Sequence, residues 1–260
     1  MSPAARVLRP AEFRGRYFEP FLGGGSFFFS LQPPRAVLGD ANPELIAAYQ
    51  AVKDNVEGVI SVLKRYPHTK EFYYRLRQQK PRLAAKRAAR MIYLNRTCWN
   101  GLYRVNRKGQ FNVPFGRYEK PTICDKDRLR AAACALRNVR FACGDFEDSL
   151  KGTRCGDLVY LDPPYVIGHT GNGFLKYNSR LFSWADQKRL ARVARKLADC
   201  GVNVLVSNAD TPGIVSLYEG FRYYRAVRNS LMAASTELRR SVKEAILSSY
   251  PLFVEDSEVV

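Results

Sequence analysis

Leu158-Val159-Tyr160-Leu161-Asp162-Pro163-Pro164-Tyr165 is the stretch whose reading decides the fold. Its first four residues form a short apolar run of the kind seen in buried parallel strands. Two consecutive prolines continue neither a strand nor a helix, so the chain turns sharply after Asp162. Open α/β sheets bind their ligands at the carboxyl ends of the strands, which is where this turn falls. A carboxylate, a carbonyl and an aromatic ring are fixed together there. The set suits a planar base that carries an exocyclic amine. Asp162 and the Pro163 carbonyl accept the two amine hydrogens, and Tyr165 stacks on the ring. A tight turn with a surface tyrosine is the plainer alternative, and the surrounding sequence discriminates between the two.

Upstream, Tyr17-Phe18-Glu19-Pro20-Phe21-Leu22-Gly23-Gly24-Gly25-Ser26 reads as a short strand ending at Pro20, a glycine loop and the start of an apolar helix. Glycines permit positive φ and let the backbone approach a ligand closely. Ala36 to Gly39 reads as a second strand, closed by Asp40-Ala41-Asn42-Pro43. The spacing from the glycines to Asp40 is about that at which nucleotide-binding folds place an acid on ribose hydroxyls. Asn42-Pro43-Glu44 also makes a helix start, so Asp40 as a mere cap competes, but the glycine loop in front favours ribose. Val139 to Ala142 is a third strand, ending at Gly144-Asp145-Phe146. Asp145 there either accepts from an adenine amine, with Phe146 beside the ring, or caps the following turn.

Downstream, Val166 to Phe174 is glycine-rich and reads as a mobile loop. Ser183 and Asp186 resemble a capping box opening a long helix to about Cys200. Val202 to Val206 is a strand with Ser207-Asn208 at its carboxyl end, and Phe221 to Val227 and Ala245 to Tyr250 read as closing strands. The acidic tail from Glu255 reads as frayed.

The middle of the chain differs in character. Glu44 to Lys64 has helical periodicity, and Phe72 to Gln79, Ala84 to Asn95 and Asp125 to Leu136 read as further helices. Between Lys64 and Arg140 stand 21 Lys and Arg against four acids, a surplus of 17 out of a net +18 for the whole chain. A polyanion, most simply nucleic acid, is the natural partner. Thr97 to Tyr118 is aromatic, basic and amide-rich, with Arg107-Lys108-Gly109 reading as a hairpin tip. Arg, Asn and Gln make bidentate contacts to base edges, and Trp or Tyr wedges between base steps. Trp99, Asn100, Arg104, Asn106, Arg107, Lys108, Asn112, Arg117 and Tyr118 are therefore the candidate nucleic-acid-contacting residues.

Several classes are set aside by composition. No apolar run approaches the roughly 18 residues that span a bilayer, and Met1 to Arg16 lacks the apolar core of a secretory signal. The six cysteines show no ligand spacing and read as reduced thiols of a cytoplasmic protein. His68 and His169 are the only histidines, so no metal site or histidine-based triad is expected.

Taken together, Glu19-Pro20-Phe21 with Gly23 and Gly25, Asp40 with Asn42, the block from Asn100-Gly101-Leu102 to Phe111-Asn112-Val113-Pro114-Phe115-Gly116, and Asp162-Pro163-Pro164-Tyr165 resemble the Dam-type (D12 class) DNA adenine-N6 methyltransferases, in that family's order. The resemblance runs from about Tyr17 to Tyr250. It implies an α/β, Rossmann-like S-adenosylmethionine-dependent methyltransferase sheet, with an inserted, mostly helical DNA-recognition domain that carries a β-hairpin. Residues 1–50 and 138–260 would form the catalytic domain and 51–137 the insertion. Glu19, Phe21, Gly23 and Gly25 would hold the methionine side of the cofactor, Asp40 the ribose, and Asp145 with Phe146 the cofactor adenine. Asp162, Pro163, Pro164 and Tyr165 would engage the target adenine, with Asp162 also close to the cofactor, and Asn100, Arg104 and the residues to Tyr118 would read DNA. The implied activity is site-specific methylation of adenine N6 in a short, GATC-like duplex site, with base flipping and without a metal. Double-stranded DNA is the implied partner, and a monomer is expected when the protein is free. Residence in a bacterial nucleoid or a phage origin is implied, and a restriction endonuclease partner is left open. Two departures stand out. Met1 to Arg16 has no counterpart of the family's Lys-Trp-x-Gly-Gly-Lys segment, so either the natural start lies upstream or cofactor binding is weakened. Ser230 to Glu237 also lacks the small glycine-rich loop expected there.

Overall fold

The computed structural model of the chain describes Leu8, Pro10 and residues 13–106, 109–165, 182–229 and 241–252. Two compact units emerge, residues 1–41 with 144–260, and residues 42–143.

Among the described residues, the first unit carries a sheet of six strands. They are β1 (Tyr17–Glu19), β2 (Ala36–Asp40), β4 (Leu158–Leu161), β5 (Asn203–Ala209), β6 (Arg222–Asn229) and β7 (Ser241–Ser248), in the order β2-β1-β4-β5-β7-β6. A further strand, β3 (Val139–Cys143), belongs to the second unit. β2, β1, β4 and β5 are parallel, whereas β7 runs antiparallel to both β5 and β6. The four parallel strands therefore end on one side, which lines up Glu19, Asp40, Asp162 and the end of β5 along a single edge. Their opposite ends are fastened by buried Asp157. It accepts from the Arg16 and Arg154 N–H groups (2.7 and 2.9 Å) and from the Arg16 guanidinium (3.0 Å).

Helices cover the sheet: α1 (Ser26–Leu31), α6 (Phe146–Leu150), α7 (Trp184–Asp199) and α8 (Pro212–Leu217). The capping box expected at the start of α7 is formed, with the Asp186 N–H donating to Ser183 Oγ (3.2 Å) and the Ser183 N–H to Asp186 Oδ2 (2.9 Å). Leu190, Ala191 and Ala194 of α7 pack with Phe18, Val159, Leu161, Val204 and Val206 in one core. Burying a leucine-sized side chain contributes roughly 1.5–3 kcal/mol, so this face holds the helix to the sheet. The helices α6 and α8 go beyond the sequence reading, being too short for periodicity to show. β5 also runs further than expected, so Ser207 and Asn208 lie within the strand rather than after it.

In the second unit, α2 (Pro43–Leu63) packs on α4 (Ala84–Thr97), on α5 (Lys126–Ala135) and on β3, and α3 (Lys70–Gln78) packs on α4. The residue that caps α2 is Asn42, whose Oδ1 accepts from the Glu44 and Leu45 N–H groups (3.0 and 3.4 Å). Asp40 is thereby not the cap that the sequence left as its alternative role. Tyr73 and Tyr93 sit fully buried, with hydroxyls donating to the Val113 and Pro67 carbonyls (both 2.8 Å). Some of the basic surplus is internal. Arg77 and Arg90 donate to main-chain carbonyls, and Arg87 and Arg130 pair with Glu44 and Glu57. Among the described residues no helix is long and apolar enough to cross a membrane.

Candidate active site and nucleic-acid interface

Asp162 leaves β4 half-buried, followed by buried Pro163. The Pro164 carbonyl accepts from Gln187 Nε2 (3.3 Å), and Gln187 Oε1 accepts from Asn208 Nδ2 (3.0 Å). Gln187 and Asn208 are fully buried, so this pair of amides fixes the second proline's peptide from α7 and β5. The Tyr165 hydroxyl lies 3.0 Å from Ser207 Oγ on β5 and donates to Glu244 Oε1 on β7. Burial, then the Asp162 charge, push both the Tyr160 and Tyr165 hydroxyls well above the ordinary phenol range.

Glu19, at the end of β1, is 3% exposed and accepts from the Tyr17 hydroxyl (2.8 Å). Burial pushes its carboxyl up to about 8; the Tyr17 and Phe28 hydrogen bonds oppose that rise and the Asp162 charge adds to it. Glu19 is mostly protonated at neutral pH as a result. Beyond it, the glycine loop turns through left-handed backbone at Gly23 and Gly25 (φ 46° and 64°), a conformation that glycine adopts without steric cost. The Gly23 N–H donates to Asp40 Oδ2 (3.0 Å), so the carboxylate at the end of β2 faces the loop that follows β1.

Asp145 serves the helical role that the sequence allowed, since its Oδ1 accepts from the Glu147 N–H (3.0 Å) and caps α6. Its Oδ2 accepts from Arg189 (2.6 Å), and the Arg189 guanidinium lies 4.4 Å from the centre of the Phe146 ring. Phe146 in turn meets Phe21, with ring centres 5.6 Å apart, and Phe182 stands edge-on to Phe21. The cofactor named by the resemblance fits these residues. A carboxylate beside a glycine loop suits a ribose diol, and the Phe21–Phe146 pair with a neighbouring carboxylate suits a purine that carries an amine.

In the second unit, Trp99 and Asn100 occupy a 3₁₀ turn (Trp99–Gly101) with Asn100 in left-handed backbone (φ 52°, ψ 23°). A ladder of single bridges, Cys98 with Phe115 and Val105 with Phe111, closes the segment behind them. Arg104 Nε donates to Asn112 Oδ1 (2.9 Å), and Asn106 Nδ2 to Gln110 Oε1 (2.9 Å), so candidate readers pair across the loop. Trp99 and Tyr118 are 40% and 41% exposed, which is high for large aromatics and leaves their rings accessible. Arg117 is also exposed. A cleft of about 360 Å³ opens beside Asn95, Arg96, Asn100, Tyr118 and Thr122. Arg107 and Lys108 lie outside the described residues, as do the loop at 166–174, the stretch 230–237 and the acidic tail.

Sequence reading missed Gln187, Arg189, Asn208 and Glu244. A signal existed for Gln187, a lone amide on the apolar stripe of α7, and for Glu244, an acid next to the apolar run Ala245-Ile246-Leu247. A polar residue placed on a buried face needs a partner, and here the partner is the tetrapeptide.

Comparisons with known proteins give the family. The family model for the D12 class N6 adenine-specific DNA methyltransferase matches residues 8–231. The type II methyltransferase M1.LlaDCHI of Lactococcus lactis subsp. cremoris is 38% identical, over 95% of this chain and 90% of that protein. M.MjaIII of Methanocaldococcus jannaschii, also a type II methyltransferase, is 35% identical over 90% and 88%. The DNA adenine methylase of Escherichia coli K12 is 36% identical over 74% of this chain and 71% of its own length. A sheet that gathers Glu19, Asp40 and Asp162 on one edge, joined to these likenesses along most of its length, makes the chain a member of the D12 class of N6 adenine-specific DNA methyltransferases, enzymes that act on DNA and require a methyl donor.

Proposed function

We propose that the methyl donor is S-adenosylmethionine, and that the acceptor is adenine N6 in a short, GATC-like duplex site from which the base is flipped. The observation that carries this is the arrangement of β1, β2 and β4, which sets the Asp162-Pro163-Pro164-Tyr165 turn beside the Glu19 end of β1 and the Gly23–Asp40 hydrogen bond. Glu19, Phe21, Gly23 and Gly25 hold the methionine side of the donor, Asp40 the ribose, and Asp145 with Phe146 the adenine ring. The donor supplies an electrophilic methyl group on a sulfonium.

The chain's own residues do the rest. The amine nitrogen of adenine is a poor nucleophile because its lone pair is delocalised into the ring. Asp162 and the Pro163 carbonyl accept its two hydrogens, which favours a more tetrahedral nitrogen and aims the lone pair. Positioning and electrostatics of this kind supply most of the rate. Tyr165 replaces the stacking that the base loses on leaving the duplex. The second unit, residues 42–143, binds and reads the duplex through Asn100, Arg104, Asn106, Asn112, Arg117 and the exposed rings of Trp99 and Tyr118. In a test with labelled S-adenosylmethionine, label should appear in N6-methyladenine of a GATC duplex and fall sharply when the guanine is replaced. Isothermal titration that shows no binding of S-adenosylmethionine would sink the donor assignment and leave a DNA-binding protein.

A further inference from the structure

We propose that Glu244 is a positioning residue for methyl transfer: from β7, its carboxylate takes the Tyr165 hydroxyl and so sets the angle at which the ring meets the target adenine. This rests on the reading that Tyr165 stacks on that base.

Glu244 is 8% exposed, opposite Ala209 in the β5–β7 register. A carboxylate buried to this degree is costly unless it is hydrogen-bonded, and Glu244 accepts from the Tyr165 hydroxyl of the tetrapeptide. Ser207 Oγ, on β5, lies 3.0 Å from the same hydroxyl. Two adjacent strands therefore hold the far end of the tyrosine, while Gln187 holds the Pro164 carbonyl just before it. A tyrosine side chain has two torsions, and fixing its oxygen as well as its Cα leaves the ring plane little freedom. If only the area of the ring mattered, phenylalanine would serve and no acid would need to be buried. Burial, the Asp162 charge and the bond to Glu244 keep the hydroxyl protonated, so it remains a donor to the carboxylate.

The test is a double-mutant cycle with Glu244→Ala, Tyr165→Phe and both together. Glu244→Gln serves as the same-sized form that keeps an acceptor. Two signals are read: kcat and KM for the duplex, and the emission of 2-aminopurine placed at the target position, which rises on flipping and is quenched by a stacked ring. Glu244→Ala and Tyr165→Phe should each lower kcat about tenfold, with KM changed by no more than about twofold. The double variant should be no slower than the slower single one, because both substitutions break the same contact. Glu244→Gln should recover most of kcat, and emission should rise alike in Glu244→Ala and Tyr165→Phe. Losses that multiply, a Tyr165→Phe enzyme as fast as the wild type, or unchanged emission would each overturn the proposal. If Glu244→Ala does not fold, Glu244→Gln takes its place in the cycle, with a smaller loss and the same non-additivity required. A wild-type protein that binds duplex yet transfers no methyl group would instead overturn the proposed chemistry, and the coupling of Glu244 to Tyr165 would still be read from the unfolding midpoints of the four proteins.

Discussion

The candidate catalytic residues and the candidate reading residues are held in opposite ways. Around Asp162, side chains find partners far along the chain: Tyr165 meets Ser207 and Glu244, Asp145 meets Arg189, and Pro164 meets Gln187. Around the loop of the second unit they find neighbours. Arg104 bonds Asn112, and Asn106 bonds Gln110 only four residues on. A sheet edge can place groups to a fraction of an ångström because each strand is fixed by two others. The loop is anchored to its unit through the Val113 carbonyl, which accepts from Tyr73 and Arg77. Arg104 and Asn106 pair within the loop itself and can be exchanged without disturbing that anchor. Chemistry needs the first arrangement, and the choice of a target sequence is served by the second.

The sharpest way to break this comparison is to remove the acid at the end of β4. Asp162→Ala should lower methyl transfer about 10³-fold, while duplex affinity measured by fluorescence anisotropy stays within about twofold. An equal loss of both would mean that the site also carries DNA affinity. The reverse separation comes from salt. Even with some arginines tied up internally, the surplus of 17 positive charges between Lys64 and Arg140 should give a fall of about 10³-fold in duplex affinity from 50 to 200 mM salt. A flat titration would assign the charge to something other than phosphates.

Arg104→Ala separates reading from gripping inside the second unit. A guanidinium that bonds guanine O6 and N7 together is worth roughly 1–3 kcal/mol of discrimination. The ratio of methylation between cognate duplexes and duplexes altered at the guanine should therefore shrink about tenfold or more. An unchanged ratio would make Arg104 a phosphate contact and move specificity to Asn100, Asn106, Asn112 or Arg117.

The smallest effect expected is on stability. Burial raises the Glu19 carboxyl to about 8 in the folded chain, so the fold keeps this proton at pH values where the unfolded chain has lost it. That contribution is complete below about pH 4.5 and is lost as pH rises through 8. Glu19→Gln, which cannot titrate, should flatten the fall in unfolding temperature between pH 5 and pH 8 by several degrees, as followed by circular dichroism. A variant with the wild-type slope would show that Glu19 is solvated in the working protein.

How legible this was in the sequence depended on the range of the interaction. β4 was written in a continuous apolar run, the α7 start in Ser183 and Asp186, and the α2 start in Asn42-Pro43, because each signal lies within a few residues. The carboxyl-edge placement of Asp162 followed from two prolines after a buried strand. The contacts of Gln187, Arg189 and Glu244 with the site were not legible. They join segments 23, 44 and 79 residues apart, and only the order of strands brings them together. Charge was legible in its place along the chain, but not in which side chains are free to meet phosphates. Arg77 and Arg90 look like their neighbours in sequence, yet donate to carbonyls of their own unit.

The strand order also carries a consequence for how the protein comes off the ribosome. β7, the last strand among the described residues, is inserted between β5 and β6, and among those residues it is the only strand that β6 pairs with. While residues up to 229 have emerged but 241–248 have not, β5 has an open flank and β6 has no place in the sheet. That flank is an apolar strand edge of the kind that captures other nascent chains. Glu244 arrives on the same late strand, so closing the sheet and seating Tyr165 are a single event. A nascent chain stalled before residue 241 thus lacks the Glu244 contact that holds the Tyr165 hydroxyl.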